Sequence, residues 1–179
     1  MMRVFIADDE EIIRDGIRNC IEKEQERFLF AGEAPDGEMA LPMLMEMKPG
    51  VLITDIRMPF MDGLELAKVV RRTMPWLRIV FLSGHDEFEY AQKAVSLHAD
   101  AYLLKPVSSA QLLETLGQVA EQIEQEQQQL RSEGANRRSE PEEDVLREHF
   151  LNDLLSGTVP TAEAAVPEER WGLPLTAKP

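Results

Sequence analysis

Five short apolar segments alternate with amphipathic stretches from the start of the chain to Leu104. The apolar segments are Arg3–Ala7, Phe28–Gly32, Val51–Thr54, Leu77–Leu82 and Ala101–Leu104. Their length and their content of β-branched and aromatic residues predict β-strands. Helical spacing of apolar residues predicts helices over Glu10–Glu24, after a capping Asp36, over Gly63–Arg72 and over Glu87–Leu97. This alternation predicts an α/β fold: a doubly wound, five-stranded parallel sheet with right-handed crossovers and helices on both faces.

Pro42 and His98 are unusual residues for the positions that this pattern assigns to them. Pro42 falls inside the helix that Asp36 caps, so it should kink that helix or shift its start. His98 occupies the end of the fourth helix, where a glycine would adopt a left-handed conformation at lower cost.

The last helix is predicted to start near Ser108, with Ser109 as an alternative cap, and to extend beyond the sheet. Its stripe has 4-3-4-3-4 spacing and consists of Leu112, Leu116, Val119, Ile123, Glu126 and Leu130. Two interpretations remain open. The stripe indicates either a solvated helix whose first half packs on the sheet or a helical signalling stalk that pairs between protomers.

The chain is predicted to contain three regions, which differ in composition. Residues 1–122 form the α/β domain, and residues 123–141 form a helical stalk or linker, with Ser132–Pro141 being linker-like by composition. Residues 142–179 are expected to be the partial start of a second module or a disordered tail, with a possible short helix over Asp144–Leu155.

Composition restricts the classes of protein to which the chain can belong. Its 179 residues carry a formal net charge of −14, which disfavours nucleic-acid binding by the chain itself. The single cysteine, Cys20, excludes an internal disulfide and a multi-cysteine zinc site, and it is typical of the reducing cytoplasm. No apolar run approaches membrane-spanning length, and the first run is too short for a signal peptide. We therefore expect a cytoplasmic protein with no membrane partner.

Chemically active side chains follow four of the five predicted strands. They are Asp8 and Asp9, then Asp55, Ser83 and Lys105. Ligands bind beyond the carboxyl ends of the strands in such sheets, so these side chains should converge at one edge. Close carboxylates require a cation, and all-oxygen ligation favours Mg²⁺, with the lysine as a point charge for an anion. The set predicts phosphoryl transfer to a carboxylate. Individually, each residue could instead be a helix cap, a turn residue or a surface charge, but such roles would require a coincidence at four strand ends.

Four segments carry a resemblance to a known family. They are FIADDE, LITDIRMPFMDGLEL, IVFLSGHDEFEYAQKA and DAYLLKPV. Over residues 2–122 the chain resembles the receiver domain of two-component response regulators. The resemblance implies a flavodoxin-like sheet of order 2-1-3-4-5. It also implies site roles. Asp55 is the phosphoacceptor, and the metal ligands are Asp8, Asp9, Asp55 and the backbone carbonyl of Arg57. Ser83 donates a hydrogen bond to the phosphoryl group and is a switch residue together with the aromatic Tyr102, and Lys105 is the phosphate partner before a cis proline.

The same resemblance implies a signalling function that is not that of an enzyme. A sensor histidine kinase would phosphorylate Asp55, which would change the surface of the fourth helix, fifth strand and fifth helix and favour a homodimer. The segments SGHDEFEYAQKA and REHFLNDLLSG resemble regulators with an AraC-type helix-turn-helix output domain. No such domain is found among these 179 residues, so we expect a fragment that contacts DNA only through an absent C-terminal domain.

Two alternative functions compete with transcriptional regulation. A stand-alone receiver would act in phosphotransfer or protein interaction, without a transcriptional output. An aspartyl phosphatase would need a general acid/base two residues after its nucleophile, and Arg57, which occupies that position, cannot fill this role.

Overall fold

The structure, a computed structural model, describes residues 1–84 and 88–138. Strands and helices alternate along the chain. The strands are β1 (Met2–Ala7), β2 (Phe28–Ala34), β3 (Val51–Asp55), β4 (Arg78–Ser83) and β5 (Ala101–Leu104). The helices are α1 (Glu11–Lys23), α2 (Gly37–Met47), α3 (Gly63–Thr73), α4 (Phe88–Ser96) and α5 (Ser109–Arg138). The chain divides into two units, residues 1–125 and 126–179, and the described part of the second is residues 126–138 of α5.

All five strands are parallel and are ordered β2-β1-β3-β4-β5. Alternate residues of β1 enter opposite core layers: Phe5 and Ala7 pack with α2, α3 and α4, whereas Val4 and Ile6 pack with α1 and α5. The central strand β3 is buried along its whole length, as expected for a parallel sheet that is covered on both faces. The doubly wound fold and its predicted strand order are confirmed.

Polar caps start three of the described helices: α2, α3 and α5, where the predicted cap Ser108 accepts at its Oγ from the Gln111 amide (3.2 Å). The Met39 amide donates to Asp36 Oδ1 at 2.8 Å, which confirms Asp36 as the cap of α2. Asp62 and Glu65 form a reciprocal capping box at the start of α3. The helix α2 begins directly after its cap and continues through Pro42, so the proline does not shift its start.

The end of α4 contains the left-handed residue that the sequence indicated. His98 has φ 54° and therefore takes the conformation in which glycine is less costly. The described part of α4 begins at Phe88, and the predicted first residue, Glu87, lies outside the described residues.

The helix α5 extends further than composition suggested. Its stripe packs on the sheet through Leu112, Leu116 and Val119, whereas Leu130 is exposed. The first part of the segment that is linker-like by composition, from Ser132, is helical, because α5 continues to Arg138. The strongest helix-weakening residue in that part is Gly134, which costs only about 1 kcal/mol relative to alanine. Residues 139–141 of the expected linker and the expected tail, 142–179, lie outside the described residues.

A network that we call the arginine clamp joins α3, β4 and the segment between α4 and β5. It consists of Arg71, Arg78 and Asp100. Arg71 Nε donates to the Leu97 carbonyl (2.9 Å), Nη1 donates to the Leu77 carbonyl (2.9 Å), and Nη2 donates to the His98 carbonyl and to Asp100 Oδ2 (3.1 Å). The Asp100 carboxylate also accepts from Arg78 Nη1 (3.1 Å) and the Ile79 amide (2.8 Å). Each charged group of the clamp therefore has partners within the protein.

Within the described ranges, no helix combines the length and the apolar character that crossing a membrane requires. Cys20 is a buried, free cysteine in the layer between the sheet and the helices α1 and α5.

Candidate functional site

The predicted site residues lie where four parallel strands end. Asp55 and Ser83 are the last residues of β3 and β4, whereas Asp8 and Lys105 directly follow β1 and β5. Backbone hydrogen bonds continue the sheet beyond these ends: the Asp8 amide donates to the Ala34 carbonyl (3.1 Å), and the Lys105 amide donates to the Ser83 carbonyl (2.8 Å). The Lys105-Pro106 peptide bond is cis. The sheet therefore holds these four residues at its carboxyl edge.

The Lys105 ammonium is bound by three carboxylates. Its Nζ lies 2.9 Å from Asp8 Oδ2, 3.0 Å from Asp55 Oδ2 and 3.1 Å from Glu10 Oε1. Burial would lower the pKa of Lys105, but its close contacts with Asp8 and Asp55 and the charges of both carboxylates outweigh burial and raise that pKa above its ordinary value. Lys105 is therefore a fixed positive charge at neutral pH.

Asp55 is nearly buried, and each of its carboxylate oxygens has a protein partner. Oδ1 accepts from the Ile56 amide at 2.7 Å, and Oδ2 accepts from Lys105. The start of α3 packs directly against its backbone, since a Cβ at Gly63 would lie 2.0 Å from the Asp55 carbonyl oxygen. Glycine is required at position 63 for this close approach. The approach brings the start of α3 against the end of β3 and holds the backbone of Asp55 in place.

The Asp8 side chain is fully buried at the end of β1. Burial raises the pKa of Asp8. The contact with the Lys105 ammonium and the hydrogen bond from the Glu10 amide (2.9 Å) oppose this effect, and the charge of Asp55 reinforces it. Arg14 Nη1 donates to the Asp8 carbonyl at 2.7 Å. The carboxylate is therefore held firmly in a position that disfavours its charged form.

Four carboxylates lie close together at this edge of the sheet. Ligand atoms of Asp8, Asp9, Glu10 and Asp55 all lie within 4.8 Å of one another. We call these four residues and Lys105 the acidic edge. One ammonium cannot balance four carboxylates, so the acidic edge carries surplus negative charge, which a cation would neutralise. Mg²⁺ prefers oxygen ligands of this type, and the donor set fits it.

The structure brings most of the predicted site residues together. Asp8, Asp9, Asp55 and Lys105 belong to the acidic edge, and Ser83 is buried beside Lys105 through their backbone hydrogen bond. Tyr102 lies on β5 and packs with the layer of α2, α3 and α4 instead. Its hydroxyl is buried without a hydrogen-bond partner in the described part of the chain.

Sequence reasoning missed Glu10 and Arg14 as residues of the site's surroundings. The signal for Glu10 was a third acid directly after Asp8 and Asp9, at the residue before α1. Arg14 lies one helical turn further on and carried no distinguishing signal, because an arginine on an amphipathic helix is ordinarily solvated.

Comparison with known proteins identifies the class to which this site belongs. The family model of the response regulator receiver domain matches residues 4–117, and the chain belongs to that family. It is a signalling domain, the receiver of a two-component response regulator, and it has transcriptional regulators among its relatives.

Two curated relatives and one solved structure illustrate this likeness. The chain is 37% identical over 126 residues to the uncharacterized transcriptional regulatory protein YesN of Bacillus subtilis, covering 70% of this chain and 34% of YesN. It is 36% identical over 129 residues to the transcriptional regulatory protein HptR of Staphylococcus aureus, covering 72% of this chain and 50% of HptR. The chain thus spans half or less of these relatives. The receiver domain of AraT, a response regulator from Geobacillus stearothermophilus, has 44% identity and a TM-score of 0.66, covering 70% of this chain and 98% of that domain.

Proposed function

We propose that Asp55 accepts a phosphoryl group from a sensor histidine kinase, in a reaction that requires Mg²⁺. The observation that carries this proposal is the direct contact between the Lys105 ammonium and the Asp55 carboxylate within an edge of surplus negative charge. The carboxylate supplies a nucleophile, and the ammonium supplies a fixed partner for phosphoryl oxygens.

The residues that would hold the metal are Asp8, Asp9, Asp55 and the backbone carbonyl of Arg57. When bound, Mg²⁺ would neutralise charge on the carboxylates and on the phosphoryl oxygens. Asp8 and Asp55 are held by the contacts described above, so the protein would not need to rearrange to offer these oxygens.

In the transfer step, an Asp55 carboxylate oxygen forms a bond to phosphorus as the phosphorus–nitrogen bond of the phosphohistidine breaks. The electron pair of that bond stays on the histidine nitrogen, which takes a proton from solvent. Lys105 and the Ser83 hydroxyl then donate hydrogen bonds to phosphoryl oxygens.

The phosphoryl group becomes a signal through Ser83 and Tyr102. Ser83 and its loop move towards the phosphoryl group, and Tyr102 turns into the space vacated, which changes the surface formed by α4, β5 and α5. The buried hydroxyl of Tyr102, which lacks a partner among the described residues, supports this movement because a second position could satisfy it. Shifting a two-state equilibrium from mostly inactive to mostly active requires about 5.5 kcal/mol.

The output that we propose is transcriptional control, supported by the names of the two relatives and by the motifs that resemble AraC-type regulators. Contact with DNA would be made by a C-terminal domain outside these 179 residues, after phosphorylation had favoured a homodimer.

The proposal is tested by substituting the phosphoacceptor. Asp55→Asn should abolish phosphate incorporation from a small phosphodonor with Mg²⁺, as measured by intact-protein mass. Asp15→Asn, which changes an exposed aspartate of α1, is the matched control and should incorporate phosphate at the wild-type rate. Incorporation into Asp55→Asn would disprove the assignment.

A further inference from the structure

Three carboxylate oxygens already surround the Lys105 ammonium. Its Nζ donates hydrogen bonds to Asp55 Oδ2 (3.0 Å) and Glu10 Oε1 (3.1 Å), and Asp8 Oδ2 lies 2.9 Å away as an ion-pair contact. A phosphoryl group arriving at Asp55 needs a donor from Lys105, so one of these contacts must break first.

The free energy needed to break the contact with Lys105 differs among the three carboxylates. The side chains of Asp8 and Asp55 are 0% and 9% exposed, whereas that of Glu10 is 59% exposed. A buried carboxylate that loses its cation is left without solvation, which is costly. An exposed carboxylate is rehydrated at once, and exposed ion pairs contribute little to begin with. The contact with Glu10 is therefore the cheapest of the three to break.

The side chain of Glu10 has no structural role at the start of α1. It precedes α1 as its N-cap residue, with φ −85° and ψ 106°, but its side chain makes no capping hydrogen bond. Its backbone carbonyl accepts from the amides of Ile13 and Arg14 regardless of the side chain. A substitution of the carboxylate should therefore leave α1 intact.

We propose that Glu10 is a positioning residue that acts through Lys105: it holds the ammonium in the resting protein and is the carboxylate that the incoming phosphoryl group displaces. No covalent bond changes at Glu10. This inference rests on the proposed function, since it assumes that Asp55 accepts the phosphoryl group. Its consequence is that Glu10 slows phosphorylation, because the resting ion pair competes with the phosphodonor for Lys105.

The opposite sign follows if Glu10 serves as a metal ligand instead, since its carboxylate lies within the group that could hold a cation. Removing a ligand would weaken Mg²⁺ binding and slow phosphorylation. Substituting Glu10 should therefore speed phosphorylation if Glu10 is a positioning residue and slow it if Glu10 is a metal ligand.

The test compares Glu10→Gln with Glu11→Gln, which removes the same charge one residue further along. Glu11 is exposed in the first turn of α1 and is not a partner of Lys105. At saturating Mg²⁺, the second-order rate constant for a small phosphodonor should be up to about fivefold higher in Glu10→Gln than in Glu11→Gln. The difference should shrink in 1 M salt, where the Debye length falls to about 3 Å.

A double substitution checks that the effect passes through Lys105. In a Lys105→Met background, adding Glu10→Gln should leave the remaining rate unchanged, because the competing contact no longer exists. Exchange of the Lys105 ammonium protons, followed by NMR without any phosphodonor, should be faster in Glu10→Gln than in Glu11→Gln.

Several results would overturn the inference. They are equal rates for the two glutamine variants, a slower rate or a larger loss of Mg²⁺ affinity in Glu10→Gln, or a rate gain that persists without Lys105. Failure of the proposed function is distinguishable from these, because wild-type protein would then incorporate no phosphate at Asp55.

Discussion

The acidic edge and the arginine clamp are two clusters of charge in one sheet, and they differ in how their charges are balanced. In the arginine clamp, Asp100 binds two arginines, and Arg71 also donates to three backbone carbonyls. The acidic edge contains four carboxylates and one ammonium, which contacts three of them. The first network pairs its charged groups within the protein and serves the fold. The second has surplus negative charge among its described residues, and this surplus indicates a ligand.

Breaking the arginine clamp should have the largest effect on stability. Arg71→Met leaves Asp100 with one arginine fewer and three carbonyls without their donor, so the free energy of unfolding should fall by about 3 kcal/mol or more. Urea denaturation measures this loss. The rate of phosphorylation per folded molecule should stay at the wild-type value. A lower rate per folded molecule would show that the clamp also affects the site.

Removing the cation of the acidic edge should have the largest effect on the chemistry. Lys105→Met deletes the ammonium that we propose as the partner of the phosphoryl oxygens, and we expect the initial rate with a small phosphodonor to fall about 100-fold. Lys68→Met, at an exposed lysine of α3, is the matched control. Equal rates for the two variants would show that Lys105 does not assist the transfer.

Neutralising the surplus charge with a metal should stabilise the fold. At a Mg²⁺ concentration of 100 times its Kd, the free energy of unfolding should rise by about 2.7 kcal/mol, because the metal binds only the folded protein. Asp9→Asn should reduce this gain, and Glu11→Gln should retain it. An equal gain from sodium chloride at matched ionic strength would indicate charge screening instead of a bound metal.

The smallest expected effect is a pH dependence caused by Asp8. Its pKa is raised above the ordinary value of 3.8, so the folded protein binds more protons than the unfolded chain between pH 3.8 and the raised pKa. The contribution of Asp8 to the free energy of unfolding should therefore decline as pH rises through that window. Asp8→Asn should remove this decline in metal-free urea denaturation, whereas Asp15→Asn should retain it; an unchanged profile in Asp8→Asn would contradict the assignment.

Much of the site was predictable because a parallel sheet imposes a simple geometric rule. Local hydrophobic patterns predict the order of strands and helices. The carboxyl ends of parallel strands lie at one edge of the sheet. Asp8, Asp55, Ser83 and Lys105 therefore converge as a consequence of where each strand stops. The extent of α5 beyond Ser132 was not predictable from composition, since a polar helix and a polar linker use similar residues.

The sequence by itself determined the fold class and placed Asp55 and Lys105 at strand ends, since each of these depends on a pattern within a short segment. Only the tertiary structure decided which carboxylates share Lys105, that Glu10 reaches it across a separation of 95 residues, and that Arg71 binds carbonyls of a distant helix end. These contacts depend on side-chain reach and burial between elements that are far apart in the chain. Local sequence patterns contain no information on side-chain reach or burial. The pairing of charges in the acidic edge and the arginine clamp therefore follows only from the folded structure.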